Sequence, residues 1–360
     1  MRATQKTIAG KLNLSQSLVA GVLNDKPGVW VSPANRERIR QAAREMGYRP
    51  NAAARRLRSG KSDSVGLVVT HPGGGLPMEF GDIVAALSRF LNPLGHDLTM
   101  KTFSEPAPAL DGLAEIAQTH TCDVVVLWGT SATVGPQAAL LADLKMPFVV
   151  IGSLEEPHPQ WPQIDFDHLG LMQRSVAHLT ALGHRRIAYL GHDNGEQYVS
   201  HLEAGFREAM RSLAGDPSPE RWMRRLGPVR GPESEALMVG WLSSPAPECP
   251  TAAVMGASDD SSWRGLELAL ARLGRRLGEG PGEFAATGLH HTDSPLLFGH
   301  ACGFSQTDLG HLMETLCVSL LTPLLRGEAP ETNVLQVCPP MREMDSFDLL
   351  NYARFAQAAP

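Results

Sequence analysis

The densest chemistry in the chain is cationic. Between Gly47 and Ser62 the sequence reads GYRPNAAARRLRSGKS, which places Arg49, Arg55, Arg56, Arg58 and Lys61 in one short run. Guanidinium groups at that density suit a polyanion, because each is permanently charged and its planar fork matches two phosphate oxygens at once. Upstream, Gln16 and Ser17 carry donors and acceptors able to read a base edge. Other candidate chemistries are thinner. Gly73-Gly74-Gly75 has neither the following Lys-Ser/Thr of a phosphate loop nor a G-x-G-x-x-G spacing, and reads as a pliable loop. Asp165/Asp167 and Asp259/Asp260 pair carboxylates at strand ends, with nothing to mark one as acid and the other as base. His290, His291 and His300 lack helical ligand spacing and have few carboxylates nearby, so no metal and no cofactor are expected. With no nucleophile elbow either, the sequence points away from an enzyme.

These groups need a frame, and charge shows where it divides. The 360-residue chain has a formal net charge of -6, yet residues 1–61 hold 13 lysines and arginines against 3 acids, leaving 19 against 35 for the remainder. A basic module precedes an acidic body. A local excess of this size is the footprint of a nucleic-acid surface, although a merely solvated basic helix would carry the same charge. Gln5 to Lys11 predicts a short helix with Ile8 and Leu12 inward, and Asn13-Leu14 supplies a turn. Ser15 is placed as an N-cap, with Leu14 and Val19 spaced as a hydrophobic staple. A second helix follows from Gln16 to Leu23. Its pairs Leu18/Val22 and Val19/Leu23 form a buried stripe, which turns Gln16, Ser17, Ala20, Gly21 and Asn24 outward. A third begins at Ser32-Pro33, buries Ile39, Ala42, Ala43 and Met46, stops at Gly47, and shows Arg36, Arg40 and Arg44 on its other face. The first two helices with their tight turn make a helix-turn-helix.

From Thr7 to Val69 the chain resembles the LacI/GalR family of transcriptional regulators: a helix-turn-helix ending VLN, a loop with PGV, a third helix ending GYRPN, then AAARRLRSG. The resemblance implies that the second helix enters the DNA major groove, bringing Ser15, Gln16, Ser17, Gly21 and Asn24, with Tyr48, to the duplex. Gly21 is a departure, because the family usually has an arginine there; Leu18 and Ala20 replace its usual hydroxyl residues. Base readout is then thinner than in typical members, or Gly21 simply lets the helix approach the DNA closely. The resemblance also makes Asn51 to Ser59 a hinge that becomes helical on DNA. There Asn51, Ala54, Arg55, Leu57 and Arg58 meet the duplex and Leu57 wedges between base steps. A flexible linker in the absence of DNA fits the same residues.

After Ser62 short apolar runs, VGLVV (65–69), DVVVL (123–127), FVVIG (148–152), RIAYLG (186–191), TAAVMG (251–256) and EFAATG (283–288), alternate with amphipathic segments of helical length. That alternation predicts parallel sheets with helices on both faces. The expected class is therefore α/β, with an N-terminal helix-turn-helix headpiece and, by the resemblance, two doubly wound periplasmic-binding-protein-like subdomains enclosing a ligand cleft. The expected divisions are a headpiece over 1–48, a hinge over 49–61, an effector-binding and dimerisation core over 62–342, and a tail over 343–360. Sugar-binding members usually carry an arginine where Leu202 stands, an Asn-Asp pair at Ser258-Asp259 and an Asp-Asp pair at His290-His291. A sugar hydroxyl needs polar partners to replace its hydration, so these changes leave open a sugar, a less polar or anionic ligand, or none. Phe80, Asp82, Asp259, His290 and Gln306 are the expected lining residues.

The function implied is a sequence-specific regulator, in the repressor sense, that binds double-stranded operator DNA as a homodimer under control of a small-molecule effector. The alternative is a solute-binding receptor with a degenerate headpiece. Five cysteines, Cys122, Cys249, Cys302, Cys317 and Cys338, are odd in number and without C-x-x-C spacing. Together with the lack of a leader or a bilayer-length apolar stretch, they suggest a cytoplasmic protein with reduced thiols and no membrane partner.

Overall fold

The computed structural model describes residues 3–24, 28–48, 61–72, 80–156, 158–227, 230–257, 260–278, 282–290, 303–306, 309–337 and 342–343. Its contacts divide the chain into two units, Met1–Asp63 and Ser64–Pro360. The first contains α1 (Gln5–Leu12), α2 (Gln16–Leu23) and α3 (Pro33–Glu45). Helices this short are marginal alone, so their ends and their shared core carry them. Each start is capped. Thr4 and Thr7 exchange a capping box ahead of α1, Ser15 Oγ accepts the Leu18 N–H at 3.2 Å, and Ser32 Oγ accepts the Asn35 N–H at 3.3 Å. Asn13 makes the turn between α1 and α2 in the left-handed region, with φ 55°. Ile8, Val19, Val22 and Ile39 close the core, and Leu14 packs on its rim. Leu18, expected in the buried stripe, lies outside this cluster and is half-buried.

The second unit is two sheets wrapped by helices, parallel throughout except where the last strand pairs antiparallel at the edge of the second sheet. The first lobe contains β1 (Ser64–Thr70), α4 (Phe80–Leu94), β2 (Asp97–Phe103), α5 (Pro106–Thr119), β3 (Val124–Gly129), α6 (Ser131–Asp143), β4 (Phe148–Ile151) and β5 (Gln163–Phe166). The second contains α7 (His168–Ala181), β6 (Ile187–His192), α8 (Gln197–Ser212), β7 (Met223–Leu226), α9 (Arg230–Leu242), β8 (Ala252–Met255), α10 (Asp260–Arg272), β9 (Ala285–His290) and β10 (Gly303–Gln306). The chain then returns through α11 (Leu309–Thr315), a π-helical turn (Leu316–Leu321) and α12 (Thr322–Arg326) to β11 (Val334–Val337), and ends its described course in β12 (Arg342–Glu343). Strand order is β11-β5-β4-β3-β1-β2 in the first sheet and β12-β10-β9-β8-β6-β7 in the second.

Side chains on a strand alternate between faces, and both faces of the central strands are apolar because helices cover each. On β1 and β3, Val65, Leu67, Val69, Val124 and Val126 join Ile83, Leu87 and Leu91 of α4, while Val68, Val125 and Leu127 pack on the opposite side against α5 and α6. The second lobe repeats the scheme. Ala188 and Leu190 of β6 meet Trp263 and Leu266 of α10, whereas Ile187 and Tyr189 meet Leu171 of α7 and Phe206 of α8. The returning segment belongs to the first lobe's core through Leu312, Leu316, Leu320 and Leu321.

The chain therefore passes between the lobes three times: from β5 to α7, from β10 to α11, and from β11 to β12. This arrangement places the carboxyl ends of both sets of parallel strands toward one cleft, where ligands of such sheets bind.

Candidate functional site

The headpiece surface is set by what its core leaves outside. Gln16 and Ser17, in the first turn of α2, are exposed as expected; Ser15 is exposed as well, its hydroxyl engaged as the cap and 3.2 Å from Ser17 Oγ. Asn24 is half-buried and its Nδ2 donates to the Ala20 carbonyl at 2.6 Å, so its amide closes the end of α2. Tyr48 is half-buried on the headpiece core, and its N–H donates to the Ala43 carbonyl.

Gly21 is not outward. It is buried, and a Cβ built there would lie 2.7 Å from Val29 Cγ2, because the loop leading to α3 folds back across the helix at this point. The missing side chain makes room for Val29. Neither the arginine typical of the family nor a closer approach to DNA describes it. The hinge residues Asn51, Ala54, Arg55, Leu57 and Arg58 lie outside the described residues, as does Asp259.

In the cleft, Phe80 at the start of α4 stacks on Trp128 at the end of β3, with ring centroids 6.4 Å apart and planes within 6°. Both are half-buried and pack on the first lobe's core, which leaves part of their aromatic surface exposed beside the strand ends. Asp82 is exposed on the first turn of the same helix. His290 and Gln306 are register partners at the ends of β9 and β10, which brings two expected lining positions side by side. Leu202 faces the other way. It is fully buried in the second lobe's core with Met172 and Phe206, and contributes nothing polar to the cleft.

The lobes meet through two helix starts. Thr130 is the N-cap of α6 but bonds its own side chain to Thr133, and Glu196 is the N-cap of α8 without capping it. Each helix is instead capped from across the cleft. Glu196 Oε2 accepts the Ser131 N–H at 2.9 Å and the Ser131 hydroxyl at 3.3 Å, while Ser131 Oγ accepts the Gln197 N–H at 3.4 Å. Helix N-termini carry partial positive charge and repel when brought together, so a carboxylate between them stabilises the closed contact. The approach behind Ser131 is tight: a Cβ at Gly129 would lie 2.5 Å from the Thr70 carbonyl oxygen.

The α8 side of this contact is braced. On α8, buried Glu203 receives Arg225 of β7 at 2.6 Å and Arg207 at 2.9 Å. Burial alone would raise the Glu203 carboxyl, but the hydrogen bonds from Arg225 and Arg207 outweigh it and hold the group below the ordinary carboxylate value. At the β5–α7 crossing, Asp165 accepts bonds from the Ser153 hydroxyl and from the Phe166 N–H, and buried His168 lies 3.7 Å from Asp165 Oδ2. His168 also packs on Tyr198 of α8, with centroids 5.6 Å apart. Burial pushes the His168 imidazole below its ordinary 6.5 against the pull of Asp165, with His201 acting in the same direction as burial and Asp167 opposing. Asp167 serves as the cap of α7, accepting the Gly170 N–H at 2.8 Å. The Asp165/Asp167 pair is thus structural.

The sequence reading missed Trp128, Ser131, Glu196 and His168. Trp128 closes an apolar run and was legible as a strand end; Ser131 and Glu196 reveal themselves only when two distant helix starts are brought together. Among the described residues no group of histidines, cysteines and acids is arranged to hold a metal, no helix is long and apolar enough to cross a membrane, and Cys122, Cys249 and Cys317 are free thiols.

Comparison with known proteins agrees with this geometry. A periplasmic binding protein-like domain matches residues 176–279. The HTH-type transcriptional regulator RafR of Escherichia coli is 32% identical over 280 residues, covering 76% of this chain and 78% of that protein. Among solved structures, the lac repressor dimer bound to operator and the anti-inducer ONPF aligns with TM-score 0.71 at 19% identity, covering 95% of this chain and 98% of that one. A transcriptional regulator CelR–cellobiose complex aligns with TM-score 0.60 at 21% identity, covering 96% and 99%. At these identities the two structures speak for the fold.

Two outcomes follow from the cleft. Glu196→Ala removes a cap shared by both lobes, worth about 0.5–2 kcal/mol. Amide exchange at Ser131 and Gln197 should accelerate while exchange in the middle of α6 and α8 is unchanged; equal rates in both proteins would contradict the shared cap. For His168, the unfolded chain binds a proton below pH 6.5 that the folded chain resists, so the stabilisation is complete above 6.5 and is lost as pH falls below it. Urea unfolding at stepped pH should show this loss, and His168→Gln should reduce it; an unchanged slope in the variant would remove His168 as its source.

Proposed function

The chain belongs to the LacI/GalR family of transcriptional regulators, and from that membership we propose that it is a cytoplasmic repressor that binds a pseudo-palindromic operator as a homodimer and releases or tightens its grip when a small molecule enters the cleft between the lobes. The observation that carries the DNA half is a capped, exposed first turn of α2, with Gln16 and Ser17, on a module holding 13 cationic residues against 3 acidic ones. Phosphate contacts supply affinity and register, whereas base contacts supply sequence. With Gly21 buried, direct readout falls to Gln16 and Ser17, and the hinge, with Leu57 and its flanking Arg55, Arg56 and Arg58, carries more of it. We assign the headpiece to 1–48, the hinge to 49–61 and the effector and dimerisation core to 62–342, with 343–360 as a tail. Two headpieces on one dimer would double the contacts and fix the half-site spacing.

For the effector we propose an uncharged carbohydrate larger than one ring. The Phe80–Trp128 pair suits the apolar face of a sugar ring, and a structural neighbour is a complex with cellobiose. Leu202 offers no cation for an anionic ligand, and Glu196 already occupies the N-terminus of α6. Phe80, Asp82, Asp259, His290 and Gln306, with Trp128, are the residues assigned to it.

The test is selection of bound duplexes from a random pool by the full-length protein, followed by affinity measurements across salt with and without cellobiose, maltose and raffinose. The expected result is a two-fold symmetric site whose binding is lost in Leu57→Ala and altered by a neutral oligosaccharide. Sequence-blind binding driven only by salt would favour a receptor with a degenerate headpiece.

A further inference from the structure

Trp30 is 94% exposed, the most exposed large apolar side chain among the described residues. Its position is not slack. Val29 before it fills the space over Gly21, and Val31 after it packs on the headpiece core, so the in-out-in alternation holds the indole outward from both sides. Ser32, the cap of α3, follows Val31 and ties this end of the loop to that helix start.

The location is informative. Ser17 and Gly21 are four residues apart on α2 and therefore lie on one face of the helix, one turn from each other. Val29 covers Gly21, so the loop carrying Trp30 borders the very row of α2 that ends in exposed Ser17. A macromolecule that engages Gln16 and Ser17 meets this loop next. The surrounding module is strongly cationic, which selects a polyanion over an apolar protein surface.

We infer that Trp30 is a DNA-contact residue that packs its ring on the sugar–phosphate backbone beside the α2 half-site and donates its indole N–H to a phosphate oxygen. The inference rests on the DNA-binding reading and adds to it a sequence-neutral anchor. Such an anchor gives affinity and register without base preference, and an apolar ring displaces no counterions. It adds affinity and register on a helix that the burial of Gly21 leaves with one side chain fewer for the DNA.

The experiment uses the full-length protein, Trp30→Phe and Trp30→Ala, with a fluorescein-labelled random-sequence duplex and with the selected site. Trp222 and Trp263 are buried and Trp128, Trp161 and Trp241 half-buried, so the difference between wild type and Trp30→Phe isolates the Trp30 emission. That emission should be freely quenched by acrylamide in the free protein and shielded once the duplex binds. Trp30→Ala should weaken binding roughly tenfold on both duplexes, the scale of one lost hydrogen bond to a charged group, and leave the salt slope unchanged. Circular dichroism of both variants should match wild type, since the side chain supports no core. A duplex that binds by anisotropy while Trp30 stays fully quenchable, or equal affinity of Trp30→Ala and wild type, would overturn the inference alone. Shielding of Trp30 without DNA would assign it to a protein contact and overturn it too. A duplex that fails to bind at low salt would overturn the DNA-binding reading, and this inference with it.

Discussion

The regulatory half of this protein depends on a carboxylate placed between two helix ends. Glu196 of the second lobe accepts the Ser131 N–H of the first, and Ser131 returns a hydroxyl oxygen to the start of α8. Without Glu196 the two positive helix ends would face each other with unsatisfied N–H groups, a state that favours separation. With it, the contact between the two helix starts gains an interaction on the scale of a single helix cap, about 0.5–2 kcal/mol. That magnitude matters. A contact so modest can be made or broken by a ligand whose affinity differs between open and closed forms, whereas a fused apolar interface could not. The buried Glu203–Arg225 pair and the His168–Tyr198 contact tie α8 to β7 and α7, so a closing motion of the proposed kind would carry α8 with the rest of its lobe.

The headpiece solves a different problem, that of stabilising three short helices with very little core. Side-chain caps at Thr4, Ser15 and Ser32 satisfy the first free N–H groups of each helix, and a cluster around Ile8, Val19, Val22 and Ile39 does the rest. The loss of a side chain at Gly21 is part of the same economy of space, since it lets Val29 seal the outer edge of α2. An exposed indole follows from that seal.

Elements whose signal is local were legible in the sequence. The three headpiece helices follow from Ser15, Ser32-Pro33 and apolar spacing, and α2 occupies Gln16–Leu23 as expected. The six strands read as apolar runs are the central ones, whose two faces are both covered, so that alternation vanishes and the run stands out. The remaining strands did not stand out, whether at an edge, as β2, or inside the sheet, as β5. β2, DLTMKTF, alternates because one side faces water, and β5, QIDF, is short and half polar. At Gly21 the helical wheel gave the wrong face, because the periodicity of α2 contains no information about a loop that folds back over it. The pairing of Ser131 with Glu196 joins residues far apart in sequence whose only local mark is that each begins a helix. Phe80, His290 and Gln306 were reached through the resemblance, and Phe80 only as a lone ring, without its partner Trp128.

On the proposed function, closure of the two lobes is felt at the DNA. It is tested most directly by comparing the operator affinity of the full-length protein with that of Glu196→Ala, on the same selected duplex over a range of salt. Allosteric coupling of the usual size predicts affinities that differ by roughly fivefold or more. The salt slopes should be equal, because no phosphate contact has been touched. Identical affinities, from a variant whose cleft exchange shows the cap to be lost, would contradict the account.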